Sequence, residues 1–187
     1  MLAAGRHPLD KGRVCEVAQI VAQQPRRLAS LMECLWDEDP GIASRAADVM
    51  ERLTAGSAPQ VHPQRLTPWK DALLGLISDA GPKKLRWNLA LTIPRMKLTV
   101  AEARRAADGF NASLDDSSSI LKTAAMQGLA ELTAHDPTML PGIVDLLRML
   151  SRSGTPAMRA RGRILLKKLE AHPRKTPRTG AGLPLVD

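Results

Sequence analysis

Four stretches of this chain obey one apolar ruler. From Leu85, the residues Leu89, Ile93 and Met96 follow at offsets +4, +8 and +11, which is one face of an α-helix at about 3.6 residues per turn. The same ruler from Ile42 meets Ala46, Val49, Met50 and Leu53. From Leu121 it meets Ala125, Gly128, Leu129 and Leu132, and from Met158 it meets Gly162, Leu165, Leu166 and Leu169. The four starting points lie 43, 36 and 37 residues apart. A period of that size, with a second helix in each interval, predicts an α-solenoid, because one helix pair leaves an apolar face that only its neighbour can cover. The expected fold class is all-α, about four helix pairs plus an N-terminal capping helix.

The joints agree with the ruler. Val14, Val17, Ala18 and Val21 predict the capping helix over 11–24, closed by Pro25. The first member of each pair (A) is expected over 26–36, around Leu66, Trp69, Leu73 and Ile77, from the capping box Thr99-Val-Ala-Glu102, and from Asp136-Pro137. In the third A helix, Val100, Ala103, Ala107 and Phe110 are expected to point inward. The second members (B) start at Asp39-Pro40, Gly81-Pro82, Asp116-Ser117 and Thr155-Pro156. Asp caps free N–H groups, and Pro at the first helical position gives up no bond. Three parts follow: residues 1–24 as a segment with the capping helix, 25–171 as the repeat domain, and 172–187 as a basic tail that need not fold.

DPGIASRAADVMERL, SSSILKTAAMQGLAEL and TPAMRARGRILLKKL resemble the second helices of HEAT repeats, which commonly read Asp-Pro, an aliphatic, Arg, and Ala-Ala before a Leu. LRWNLALTIPRMKLT followed by SSSILKTAAMQGLAEL is similar to a group of short bacterial HEAT-repeat proteins of unassigned function. The resemblance covers about residues 25–171. At the position of the motif's Arg the later repeats carry Asn88, Ala124 and Arg161. The resemblance implies a right-handed superhelix of antiparallel pairs with B helices on the concave side, and it implies no chemistry.

Motifs for catalysis are thin. The four histidines are far apart, and His62, His135 and His172 stand beside prolines at helix joints, where an imidazole can cap. Ser119-Ile-Leu-Lys122 has the SxxK spacing without the KTG and SDN partners of serine acyl enzymes. Cys15 and Cys34 lack CxxC company and read as small buried side chains. No catalytic residue, metal or cofactor is expected. DNA glycosylases of HEAT-like build use Trp and Asp in a basic groove; Trp36, Trp69 and Trp87 are present without a paired-Trp-plus-Asp cluster, and Asp115 and Asp116 read as caps. No apolar run reaches the ~20 residues of a membrane span. MLAAGRHPLDKGR lacks the apolar segment of about 7–15 residues in a signal peptide. Cytoplasmic residence and a monomer are expected.

The faces opposite the ruler carry the functional expectation. Offsets +2, +6 and +9 are Ser44, Asp48 and Glu51 in the first B helix, an ordinary solvated face. In the second they are Trp87, Leu91 and Pro94, apolar where water is expected; in the third, Thr123, Gln127 and Ala130. This strip predicts a peptide or protein partner held by Trp87, Leu91, Pro94, Thr123 and Gln127, with Arg86 and Lys122 on its margin favouring an acidic one. Charge supplies the alternative. Residues 148–187 hold ten Lys/Arg against two acids, while the rest of the chain is neutral. Arg159, Arg161, Arg163, Lys167 and Lys168, with the tail, form a basic patch open to nucleic acid.

Overall fold

A computed structural model describes residues 13–56, 60–78 and 81–171. They form an all-α chain: α1 (Val14–Gln23), α2 (Leu28–Glu33), α3 (Pro40–Thr54), α4 (Lys70–Ser78), α5 (Lys83–Thr92), α6 (Val100–Ala112), α7 (Ser119–Leu132), α8 (Leu140–Ser153) and α9 (Pro156–Ala171). Short 3-10 turns extend several of them, at 25–27, 34–36, 63–69, 93–95, 113–115 and 137–139. Pro68 lies in one such turn, and regular α-helix begins only at Lys70, because a proline inside an α-helix deletes a backbone bond. None of the described helices is long and apolar enough to cross a membrane. The tail expectation at 172–187 lies outside the described residues, as do 1–12.

The caps at Asp39 and Thr99 form as the joints predict, and that of α7 shifts by two residues from Asp116. The Asp39 carboxylate accepts from the Gly41 N–H at 2.7 Å, with Pro40 at the first position of α3. The Thr99 hydroxyl accepts from Glu102 N–H while the Glu102 carboxylate accepts from Thr99 N–H, a complete capping box. At α7 the cap is Ser118, two residues after Asp116, whose carboxylate accepts from the Ser118 N–H.

The odd-numbered helices contact one another in series, α1 on α3, α3 on α5, α5 on α7 and α7 on α9, while α4 packs on α6 and α8 on α9. The ruler is the buried side of that row. In α5 and its extension Leu85, Leu89, Ile93 and Met96 are all buried, as are Leu121, Ala125, Gly128, Leu129 and Leu132 in α7. In α9, Met158, Gly162 and Leu165 are buried, but Leu166 and Leu169 are only half-buried, since α9 has no further helix against it among the described residues. One cluster joins Leu85, Leu89, Ile93, Met96, Ala125, Leu129, Leu132, Met158 and Leu165 to Leu73, Ile77, Ala103, Ala107 and Phe110. Gly128 of α7 faces the Ala90 carbonyl of α5 and the Phe110 ring of α6 closely enough that a Cβ would not fit.

Three expectations are corrected. Val100 is 46% exposed; it lies close to 90° around α6 from the centre of the Ala103–Phe110 stripe, at the first helical residue. Cys15 is exposed rather than buried. The +2, +6 and +9 face of α3 is not a solvated face: Ser44 is buried with its hydroxyl donating to the Pro40 carbonyl, and Asp48 and Glu51 are half-buried against α5.

Candidate interaction site

Polar side chains tie the odd-numbered helices together along the edge next to the strip. Asp48 on α3 receives Lys84 Nζ at 2.5 Å and Asn88 Nδ2 at 2.7 Å, both from α5. Asn88 is buried and spends its other donor on the Lys84 carbonyl. Gln127 on α7 accepts from Arg161 on α9 at 3.4 Å. In both pairs a +6 residue reaches the +3 residue of the next odd helix, so Asn88 and Arg161 at the motif's Arg position carry inter-helix bonds, while Ala124 at that position in α7 has no polar side chain to do so. At the far ends of the helices, Arg95 donates to the Glu51 carboxylate at 2.8 Å and to the Glu51 carbonyl at 3.1 Å. His135 Nε2 lies 2.8 Å from the Pro94 carbonyl oxygen, joining the end of α7 to the end of α5.

Two clefts open at opposite ends of α5. One, of about 470 Å³, is lined by Trp87 and Lys84 of α5, Asp48, Glu51 and Arg52 of α3, and Val14 at the start of α1. The other, of about 790 Å³, runs between the ends of α5, α7 and α9, with Pro94, Ala130, Leu140, Leu165 and Leu169 as its apolar wall. Arg95, Glu131 and Lys168 also line it. Trp87 and Pro94 are seven residues apart, two helical turns, and so share one side of α5. A third cleft, of about 630 Å³, gathers Pro25, Leu28, Pro68 and Trp69 from the α2 and 63–69 segments and touches no odd-numbered helix.

The strip residues occupy graded positions. Trp87 and Leu91 are half-buried, each resting on the core. Pro94 is buried and is one of the residues that line the larger cleft. Thr123 and Gln127 are half-buried; the Thr123 hydroxyl donates back to the Ser119 carbonyl and Gln127 also bonds Glu131. Lys122 is half-buried beside them. Arg86 is committed elsewhere: it donates to the Ser113 hydroxyl at 2.9 Å and pairs with Asp116 at 3.5 Å, bracing α5 to the α6–α7 joint. Arg86, Lys84 and Arg95 beside the strip therefore already have partners, whereas Lys122 has no ion pair among the described residues. Sequence spacing could not reveal this, because a helical ruler has no information about the neighbouring helix.

Titratable groups with displaced affinities are caps and braces. The Ser118 N–H, then Lys83, holds the Asp116 carboxyl below its ordinary range. The Thr138 hydroxyl, then Arg104, does the same for Asp136. Lys70 and the Thr99 N–H lower Glu102. Burial, then the nearby carboxylates Asp37 and Glu33, raises the Cys34 thiol, which moves it away from the reactive thiolate. Among the described residues no three His, Cys, Asp or Glu side chains gather into a metal-binding group. Arg159, Arg161, Arg163, Lys167 and Lys168 are all exposed along α9. No protein-family model matches this chain, and no curated protein or solved structure matches it significantly.

Proposed function

We propose that this protein is a non-catalytic interaction module, a HEAT-like right-handed solenoid that acts as a monomeric cytoplasmic scaffold and holds a short peptide segment of a partner protein along α5. The observation that carries the reading is the placement of two clefts at the two ends of one side of α5, with Trp87 in the first, Pro94 in the second and half-exposed Leu91 between. An extended peptide covers that distance in three or four residues, at about 3.3 Å each. Trp87 supplies a large anchor surface of fixed shape, and anchors of this kind carry most of the energy of peptide interfaces. The Thr123 and Gln127 hydrogen-bonding groups flank the strip. Lys122, the margin cation without an ion pair among the described residues, biases the surface toward partners with acidic residues beside an apolar anchor.

The test is selection of a displayed random peptide library on the whole protein, followed by affinity measurement with the Trp87→Ala/Leu91→Ala variant. Loss of the anchor is expected to weaken the selected peptides at least about tenfold. Because Trp87 rests on the core, the measurement is made where circular dichroism shows the variant helical. Undiminished affinity in a folded double variant refutes the proposal.

A further inference from the structure

The terminal pair α8–α9 carries a second surface that the α5 strip does not use. Residues 137–171 contain seven Lys/Arg against two acids, Asp145 and Glu170. Both of those carboxylates lie against Arg148. Arg159, Arg163 and Lys167 are exposed and recur every four residues along one side of α9. The only hydrogen bond of the three among the described residues is from Arg159 to the Gly154 carbonyl. Like charges one turn apart repel and weaken an isolated helix, so this row has an unfavourable self-energy that an incoming anion relieves.

Each four-residue step advances about 6 Å along the helix, so the row is about 12 Å long. A nucleic-acid duplex presents one phosphate per ~3.4 Å of axis on each strand, and the row meets three or four of them. We propose that α9 is a docking surface for the phosphate backbone of duplex nucleic acid, read without regard to sequence. Two features of α8 and α9 favour this occupant over an acidic protein. Residues 137–171 contain no aromatic side chain, whereas the buried centres of protein interfaces are enriched in aromatics and depleted of Lys. The surface is a straight run of cations whose single large apolar member is Ile164, 60% exposed. A second copy of the chain is disfavoured because it would place cations against cations. Arginine guanidinium groups also fork onto phosphate oxygens in bidentate fashion.

The experiment is fluorescence anisotropy of a labelled 20-base-pair duplex with the full chain at 50 and 200 mM salt. Two triple variants are compared: Arg159→Ala/Arg163→Ala/Lys167→Ala, and a control that removes three exposed cations at the other end, Arg26→Ala/Arg27→Ala/Arg65→Ala. Alanine is the best helix former, so α9 stays helical. Release of counterions from three phosphates makes the affinity fall about 40-fold over that salt range. The α9 variant is expected to lose about 2.7 units of the log–log salt slope, while the control keeps the wild-type slope. The proposal is overturned by wild-type protein that does not bind, by equal losses in the two variants, by an unchanged slope in the α9 variant, or by equally tight binding of poly-glutamate.

Discussion

Substituting Gly128 by alanine tests the packing of α7 against α5 in the odd-numbered row. A Cβ built on residue 128 would stand 2.7 Å from the Ala90 carbonyl oxygen and 2.8 and 2.9 Å from two ring carbons of Phe110. Neither neighbour has room to retreat: the first is helix backbone, and Phe110 is 1% exposed. Overpacking of this sort costs about 1–3 kcal/mol, and contacts under 3.0 Å to backbone place it near the upper end. Alanine returns about 0.8–1 kcal/mol of helix propensity. The net destabilisation is about 2 kcal/mol, or roughly 4–8 °C in a chain of this size. Gly75 in α4 is the control, since nothing lies within 4 Å of its Cβ position. Gly75→Ala is expected to stabilise by about 0.5–1 kcal/mol through propensity alone. Urea unfolding followed by circular dichroism reads both. A Gly128→Ala protein as stable as wild type would refute the close contact of α5 with α7.

Leu129→Ala, at a site 1% exposed, should cost ~2–5 kcal/mol by the same assay, the expected cost of truncating a core leucine. Asp39→Ala removes the acceptor for Gly41 N–H and should cost about 1 kcal/mol. Acid should destabilise the fold. The carboxyls of Asp136, Asp116 and Glu102 are held below their ordinary values of 3.8, 3.8 and 4.5, so their contribution is full above those values and is lost as pH falls through the lower folded ones. A melting series from pH 6 to pH 2 checks this, and Asp136→Asn should flatten its acid limb.

The sequence showed which residues face the core because burial in the odd helices repeats at helical spacing. Met50, Leu89, Leu129 and Leu165 were all readable that way. Caps were readable too, since Asp39, Thr99 and Asp136 act on backbone within three residues of themselves. What stayed hidden depends on the neighbouring helix. Asp48 looks like a solvated carboxylate until Lys84 and Asn88 are brought to it across 36 and 40 residues. Arg86 looks like a free margin charge until Asp116 is folded beneath it. The larger cleft was equally illegible, because its wall is drawn from the ends of three helices and the start of a fourth. Trp87 was found because a tryptophan opposite a buried stripe breaks the local pattern.

The most direct test of the interaction face is the set of indole N–H resonances in a 15N-labelled sample titrated with a selected peptide. The chain offers three: Trp36, which is 45% exposed, Trp69 beside the even-helix cleft, and Trp87 beside α5. The proposed binding mode predicts that the Trp87 signal moves to saturation with the peptide while those of Trp36 and Trp69 hold their positions. Saturating shifts at Trp36 or Trp69 with Trp87 unmoved would contradict it.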